Sequence, residues 1–434
     1  MRRFASFRGW RLCKARFATK KSLVVVPLVP AGTLRGNLVL RMPDFYKRAL
    51  TEWIFATSLC VGGCGHATSA GNSGARAPTQ IEVPRTIVTP ENTARIPELY
   101  AHANELAERG EHAQAAREFM RVATQDPNGE LADDALFQAG SEHDAASEFG
   151  EAALSYQQLA RRFPKSELRT GALVRATRLL AHLERYREAD ELAEHLLAEK
   201  GELGPFERVV LYGAAALGRL EADDEQGAQT FIEKGREVID ANQLDAAGRV
   251  SRDLASLYYA LGELRRRRAE RITFQPLPAN FAGALEQRCQ LLLDAQSAYS
   301  DSMRAYDAHW STMAGFRVGE LYEKLHEDVM KVTPPASADT LRKRQLFEGA
   351  MRLRYAILLE KALKMIEHTL SMAERTGERS AWVEKSQKAK ATIEQAMKRE
   401  DAAIAALPYS RATLQLALDM LQRKHAPESA TPYK

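Results

Sequence analysis

Leu99, Ala103 and Leu106 fall at i, i+4 and i+7, and Ala115, Phe119 and Val122 repeat that spacing, with Glu and Arg between. This is the period of two amphipathic helices whose apolar stripes face each other. The pattern then recurs. Ala115, Ala152 and Ala189 stand 37 residues apart. Three residues before them come His112, Phe149 and Tyr186, and seven after come Val122, Leu159 and Leu196. Twelve before come Ala103, Gly140 and Thr177, sixteen before come Leu99, Leu136 and Leu173, and twelve after come Pro127, Pro164 and Gly201. A fixed period of this size predicts stacked helical hairpins, each too small to bury its own apolar face. Alanine at the crossing lets two helix axes approach closely, and a larger residue there overpacks the contact by roughly 1–3 kcal/mol. Pro127 and Pro164 cannot continue a helix and set the hairpin boundaries.

With the small residue of the first helix, the Ala of the second and the closing Pro at these spacings, the chain resembles the tetratricopeptide repeat over roughly residues 96 to 240. Gly110 to Ala115 followed by Asp126-Pro127-Asn128 make the nearest unit to that pattern, Phe149 to Ala153 with Arg162-Phe163-Pro164 the second, and Tyr186 to Ala189 the third. In a weaker fourth unit Ala228 follows Ala189 by 39 residues, with Tyr212, Ala216 and Ile232 in place but Glu225 where an aromatic is expected. Leu261-Gly262 looks like the opening of a fifth, after which Phe274 falls where the Ala should be. A period of 37 is longer than the commonest form. It is similar to the repeats of Gram-negative envelope lipoproteins such as the barrel-assembly lipoprotein and the periplasmic partner of the Tol–Pal system. The resemblance implies a surface that holds protein partners and no catalytic residue, because arrays of this kind serve many partners.

From Ala279 onwards the strict period is lost while the helical pattern continues. Phe281 to Lys331 reads as one long pattern with a break near His309-Trp310, and within it Gly315 and Gly319 share a face beside Phe316 and Tyr322. Two glycines there cost about 1 kcal/mol each in helix propensity and mark close contact with another helix. Pro334-Pro335-Ala336-Ser337 is a hinge, with Ser337 or Asp339 as N-cap of a helix from about Thr340 to Arg375 that ends at Gly377. Ser380 caps the next, to Leu407, and Ser410 a last one to about Lys424. Trp310 to Glu323 and Ala350 to Tyr355 look similar to helical C-terminal regions of gliding-motility repeat proteins. The fold class expected is all-α, a tetratricopeptide-like α-solenoid of hairpins followed by longer irregular helices. Its divisions are an array over 94–275, long helices with packing glycines over 276–335, a C-terminal helical region over 336–425 and a disordered tail over 426–434.

The front of the chain reads as processing sequence. Tyr46-Lys47-Arg48 supplies a basic region, and Trp53 to Val61 is apolar but too short to span a bilayer. Val61-Gly62-Gly63-Cys64 then resembles a lipoprotein signal-peptidase box. The resemblance implies that residues 1–63 form a leader and that Cys64 carries the lipid, because diacylglycerol transfer needs a thiol there and two or more acyl chains anchor stably. Met42 would begin a leader of ordinary length, which makes Met1 to Arg41 an upstream extension. Residues 64–93, rich in Gly, Ser, Thr, Ala and Pro, read as a flexible tether reaching roughly 30 Å. Gly65 rather than Asp after the cysteine resembles the enteric pattern for outer-membrane delivery, so the expected place is the inner leaflet of that membrane, facing the periplasm.

This partition changes the charge. The whole chain has 61 Lys and Arg against 57 Asp and Glu. The first 63 residues hold twelve of the basic ones against Asp44 and Glu52, leaving 49 basic and 55 acidic residues and a formal charge of −6. No net basic field remains to recruit nucleic acid, and no aromatics interleave with basic residues as a base-stacking platform requires. With Cys13 and Cys60 in the leader and Cys64 acylated, only Cys289 remains, so no intramolecular disulfide is expected. Cys289, among Leu285 to Leu293, reads as a small buried hydrophobe.

No run reads as a phosphate-binding glycine loop, a nucleophile elbow or a His-Glu-x-x-His helix. The ten histidines, His102, His112, His182 and His195 among them, show no ligand spacing, so neither metal nor cofactor is expected. Arg265 to Arg268 with Arg271 is the one dense basic cluster; it reads as a solvated helix end before a grip on an acidic partner or lipid headgroups. The function expected is a non-catalytic adaptor in the bacterial envelope. A protein partner would lie along the first helix of each repeat, touching Tyr100, Gln138 and Arg175, with Ala103, Ala115, Gly140, Ala152 and Ala189 as packing positions. No nucleic acid and no small-molecule substrate are expected. Two alternatives stand: an enzyme subunit with its site in the irregular half from Ala279 to Lys434, and a cytoplasmic repeat adaptor if Cys64 is not acylated.

Overall fold

The computed structural model describes residues 95–424 apart from 200 and 247–249. The expected leader with Cys64, the tether and the tail over 426–434 lie outside the described residues. Among the described residues the regular elements are all helical. Six hairpins follow one another: α1 (Ile96–Glu108) with α2 (His112–Gln125), α3 (Ala132–Ala145) with α4 (Phe149–Arg162), and α5 (Arg169–His182) with α6 (Tyr186–Ala198). Then come α7 (Pro205–Glu221) with α8 (Glu225–Asn242), α9 (Ala255–Glu270) with α10 (Phe281–Met303), and α11 (Ala308–Met330) with α12 (Leu341–Thr376). The last two helices, α13 (Ala381–Ala405) and α14 (Arg411–Lys424), both pack on α12. From the third hairpin onward the first helices α5, α7, α9, α11 and α13 touch in order, which makes one continuous α-solenoid.

The first four hairpins share one turn. Gly110, Ser147, Glu184 and Asp223 adopt left-handed φ values of 75°, 62°, 58° and 58°. In each turn the following N–H reaches back five residues, from Glu111 to Leu106, Glu148 to His143, Arg185 to Leu180 and Asp224 to Arg219. This left-handed cap satisfies the last carbonyls of the first helix and reverses the chain. Glycine adopts that φ without a Cβ clash, yet only the first turn has one.

The packing positions lie where the hairpins cross. Ala103, Ala115, Ala152 and Ala189 have no exposed surface. A Cβ on Gly140 would stand 2.7 Å from the ring of Tyr156. The position three before the second-helix Ala reaches the next hairpin: His112 Nδ1 lies 2.7 Å from the carboxylate of Glu142, and the Phe149 ring meets His182 edge-on at 4.4 Å. Glu225 in the fourth unit does the same by ion pairing with Arg268 of α9 and with Arg271 just after it. The role is to join neighbouring hairpins, and an ion pair fulfils it where an aromatic was expected.

Leu261-Gly262 does belong to a fifth hairpin. A Cβ on Gly262 would stand 2.5 Å from Tyr299, the same arrangement as Gly140 on Tyr156. These partners are 16 residues apart in the second hairpin and 37 in the fifth. The hairpin has grown beyond its crossing point, through a longer α9, a longer α10 and the loop between them. Phe274 is buried in that loop against Phe281, at 5.2 Å between ring centroids. The divisions at 275/276 and 335/336 fall in the loops of the fifth and sixth hairpins.

Smaller differences have local causes. The break expected near His309-Trp310 comes earlier, at Arg304 to Asp307, where the Asp307 carboxylate accepts the Trp310 N–H at 3.1 Å. The N-cap of α12 is Thr340, whose hydroxyl accepts from Lys343 N at 3.3 Å; Asp339 instead pairs with the Lys343 ammonium at 2.8 Å. Gly377 ends α12 with φ 73°, and Ser410 caps α14 through Thr413 N at 3.2 Å. Ser380 precedes α13 without a side-chain cap bond. The close contact expected at Gly315 and Gly319 is internal: Gly315 is buried in α11, and a Cβ on Gly319 would stand 2.7 Å from Ile366 of α12.

Candidate functional site

The three residues expected to face a partner lie on successive first helices. The Tyr100 hydroxyl on α1 donates to the Asp134 carboxylate on α3, and its ring meets Phe119 edge-on at 5.3 Å. Burial, then the bond to Asp134, pushes its phenol above the usual range. Gln138 is half-buried one turn along α3. Arg175 on α5 is exposed, and its guanidinium lies over the Phe137 ring at 4.9 Å and donates to the Tyr156 hydroxyl at 3.3 Å. Asp134 and Phe137 therefore join Tyr100 on α1 and Arg175 on α5 to α3, the helix that carries Gln138. Arg178 pairs with Asp144 at 2.5 Å further along it.

The row of first helices continues along α7 and α9, but there α11 and α13 close over it. Glu263 of α9 is buried, and Arg317 of α11 and Arg266 meet its carboxylate at 2.9 and 2.8 Å. The Tyr299 hydroxyl of α10 donates to it at 2.7 Å. Burial alone would push this carboxyl up, but the two guanidiniums and the Tyr299 bond pull it down to about 2. Beside the cluster is a cleft of about 210 Å³ whose walls include Tyr186, Leu217, Tyr259 and Trp382.

Trp382, in the first turn of α13, is the far wall. Its indole N–H donates to the Glu184 carboxylate at 2.6 Å, and its ring meets Phe316 edge-on at 5.0 Å. The Lys385 ammonium stands 3.3 Å from the centre of that ring. Glu184 is the left-handed turn residue of the third hairpin, 198 residues before Trp382. Nearby, His182 stacks on His309 with ring centroids 4.0 Å apart. The stack of hairpins thus curls until its third member touches α11 and α13. No periodicity marks Trp382, His309 or Glu184. The one legible signal was the run of aromatic residues Trp310, Phe316 and Tyr322 within a single helical stretch.

The Arg cluster is neither a solvated end nor a free grip. Arg266 pairs with Glu263 and Glu270, Arg267 with Asp223 at 2.6 Å, and Arg268 and Arg271 with Glu225. Arg265 donates to the Asp294 carbonyl at 2.7 Å. Apart from the two Arg266 pairs, which lie within α9, these bonds hold α9 to its neighbours. Cys289 is half-buried on α10, and burial pushes its thiol up to about 11, so little of it is thiolate at neutral pH. Among the described residues no three His, Cys, Asp or Glu side chains converge as metal ligands. No described helix is long and apolar enough to cross a membrane.

No family model matches this chain, and no curated protein matches it. Among solved structures it is similar to a tetratricopeptide repeat protein from Parabacteroides merdae, at 13% identity and a TM-score of 0.35, covering 75% of this chain and 98% of that one. The assignment of an all-α, tetratricopeptide-like α-solenoid rests on the hairpins themselves, with their small-residue crossings and repeated left-handed turns.

Proposed function

We propose that the protein is a non-catalytic scaffold that holds an extended or helical segment of a protein partner against α1, α3 and α5. The observation that carries this reading is the contrast within one row of first helices. Trp382 and Arg317 cover the later part, and His309 stacks on His182 at the very end of α5. Among the described residues, none from α11 to α13 hydrogen-bonds or stacks onto Tyr100, Gln138 or Arg175. A guanidinium held over an aromatic ring, beside an amide and a phenol, presents polar groups already fixed in orientation, which lowers the ordering cost of binding. The acyl group on Cys64 would tether this surface to the periplasmic side of a bacterial envelope membrane, on the support of the Gly-Gly-Cys box alone.

A photo-crosslinking residue at Gln138 in the full chain, expressed in its own envelope, tests the reading. A discrete protein adduct is expected from Gln138 and not from Leu154, an exposed position on the second helix α4. Arg175→Ala should weaken the adduct while helicity by circular dichroism is unchanged. Equal adducts from both positions would overturn the assignment of the surface. Intact mass of the membrane-extracted protein beside Cys64→Ala tests the anchor separately, since an unprocessed chain would remove it.

A further inference from the structure

The contact between the third hairpin and α11 depends on a group that can change its charge. His182 ends α5 and lies face to face with His309 in the first turn of α11, the rings 30° from parallel. Phe149 meets the edge of His182, and Trp310 flanks His309 at 5.8 Å. The charged groups around the stack come from every neighbouring element. Arg178 and Glu184 belong to the third hairpin, and Asp307 caps α11. Arg252 and Asp253 come from the short turn before α9, and Glu378 from the loop before α13. The Glu378 carboxylate stands 3.9 Å from His309 Nδ1 and accepts the Ser380 N–H at 3.1 Å. His309 Nε2 is buried without a hydrogen-bond partner among the described residues.

A proton on His182 would be buried against the His309 ring with the Arg178 guanidinium alongside. We propose that the stacked pair is an acid-sensitive latch: proton uptake by His182 parts the third hairpin from α11 and uncovers the later part of the first-helix row. Burial, then the facing His309, holds the His182 imidazole down to about 4 from its ordinary 6.5. The closed state therefore binds fewer protons than the open one, so closure is full above about pH 6.5 and weakens as pH falls towards about 4. The Trp382–Glu184 bond would be the next to separate, because it spans the same gap.

Amide hydrogen exchange of the full chain, corrected for the intrinsic pH dependence of the rate, reads the latch directly. Protection of Leu183 to Tyr186 and of Ala308 to Met313 should fall by roughly 30-fold between pH ~7.5 and pH ~5, while α2 and α4 stay protected. His182→Phe keeps a ring in the stack without a titrating nitrogen and should hold its protection at both pH values. His182→Gln should also lose the pH dependence, at lower protection, and serves where the Phe variant does not fold. His195→Gln, at an exposed histidine, should respond as the parent does. An unchanged parent between the two pH values, or a His182 variant that still loses protection on acidification, would overturn the latch.

Discussion

The second and fifth hairpins use one crossing and differ in everything built beyond it. In both, a first-helix glycine lies against a second-helix tyrosine, Gly140 on Tyr156 and Gly262 on Tyr299. In the second hairpin the helices end shortly past that point, in a three-residue turn, and the buried side chains are apolar apart from His143 and Ser155. In the fifth they run on, and Glu263, one residue after the glycine, places a buried charge beside the crossing. The front crossing is packed by small and apolar residues alone, whereas the back adds a charge that stays buried because Arg317, Arg266 and Tyr299 meet it. The comparison teaches that an α-solenoid can lose its period without losing its packing rule, provided the crossing residues survive.

The largest expected effect lies in the buried charge. Glu263→Ala would leave Arg317 and Arg266 without their shared counter-charge and should cost about 3–5 kcal/mol in urea unfolding. A cost below ~1 kcal/mol would mean that the back half is held as the front is. The same carboxyl makes the back acid-labile. Its folded pKa, about 2, lies below its ordinary 4.5, so its contribution is full above pH 4.5 and is lost as pH falls from there towards 2. Unfolding midpoints measured across that range should decline more steeply in the parent than in Glu263→Gln.

Next come the crossings. Gly140→Ala and Gly262→Ala each drive a methyl into a tyrosine ring and should destabilise by about 1–3 kcal/mol. Equal costs would establish the shared rule, whereas a neutral Gly262→Ala would end it. The smallest effect lies in the turns. Ser147→Gly removes the Cβ from a left-handed residue at φ 62° and should stabilise by about 0.5 kcal/mol in thermal unfolding.

Legibility in the sequence followed the range of the interactions. The first three hairpins were readable from the alanine spacing because each crossing repeats at a fixed separation along the chain. Of the fifth only the opening at Leu261-Gly262 was legible, because its crossing partners moved from 16 to 37 residues apart, which no fixed window detects. The turn residues Ser147, Glu184 and Asp223 share a register with Gly110 but no chemistry, so their common backbone conformation was invisible. Tyr100, Gln138 and Arg175 were placed on one row by helical spacing. Asp134 and Phe137, which join them, emerged only when the helices were side by side.

By itself the sequence determined that this chain is a stack of helical hairpins. Amphipathic period, small residues at crossings and proline stops are local constraints, and they act before any distant contact forms. Only the tertiary structure decided how far the stack curls. That depends on small rotations accumulated between hairpins, which bring Glu184 to Trp382 across 198 residues and His182 to His309, leaving one part of the row open and the other covered.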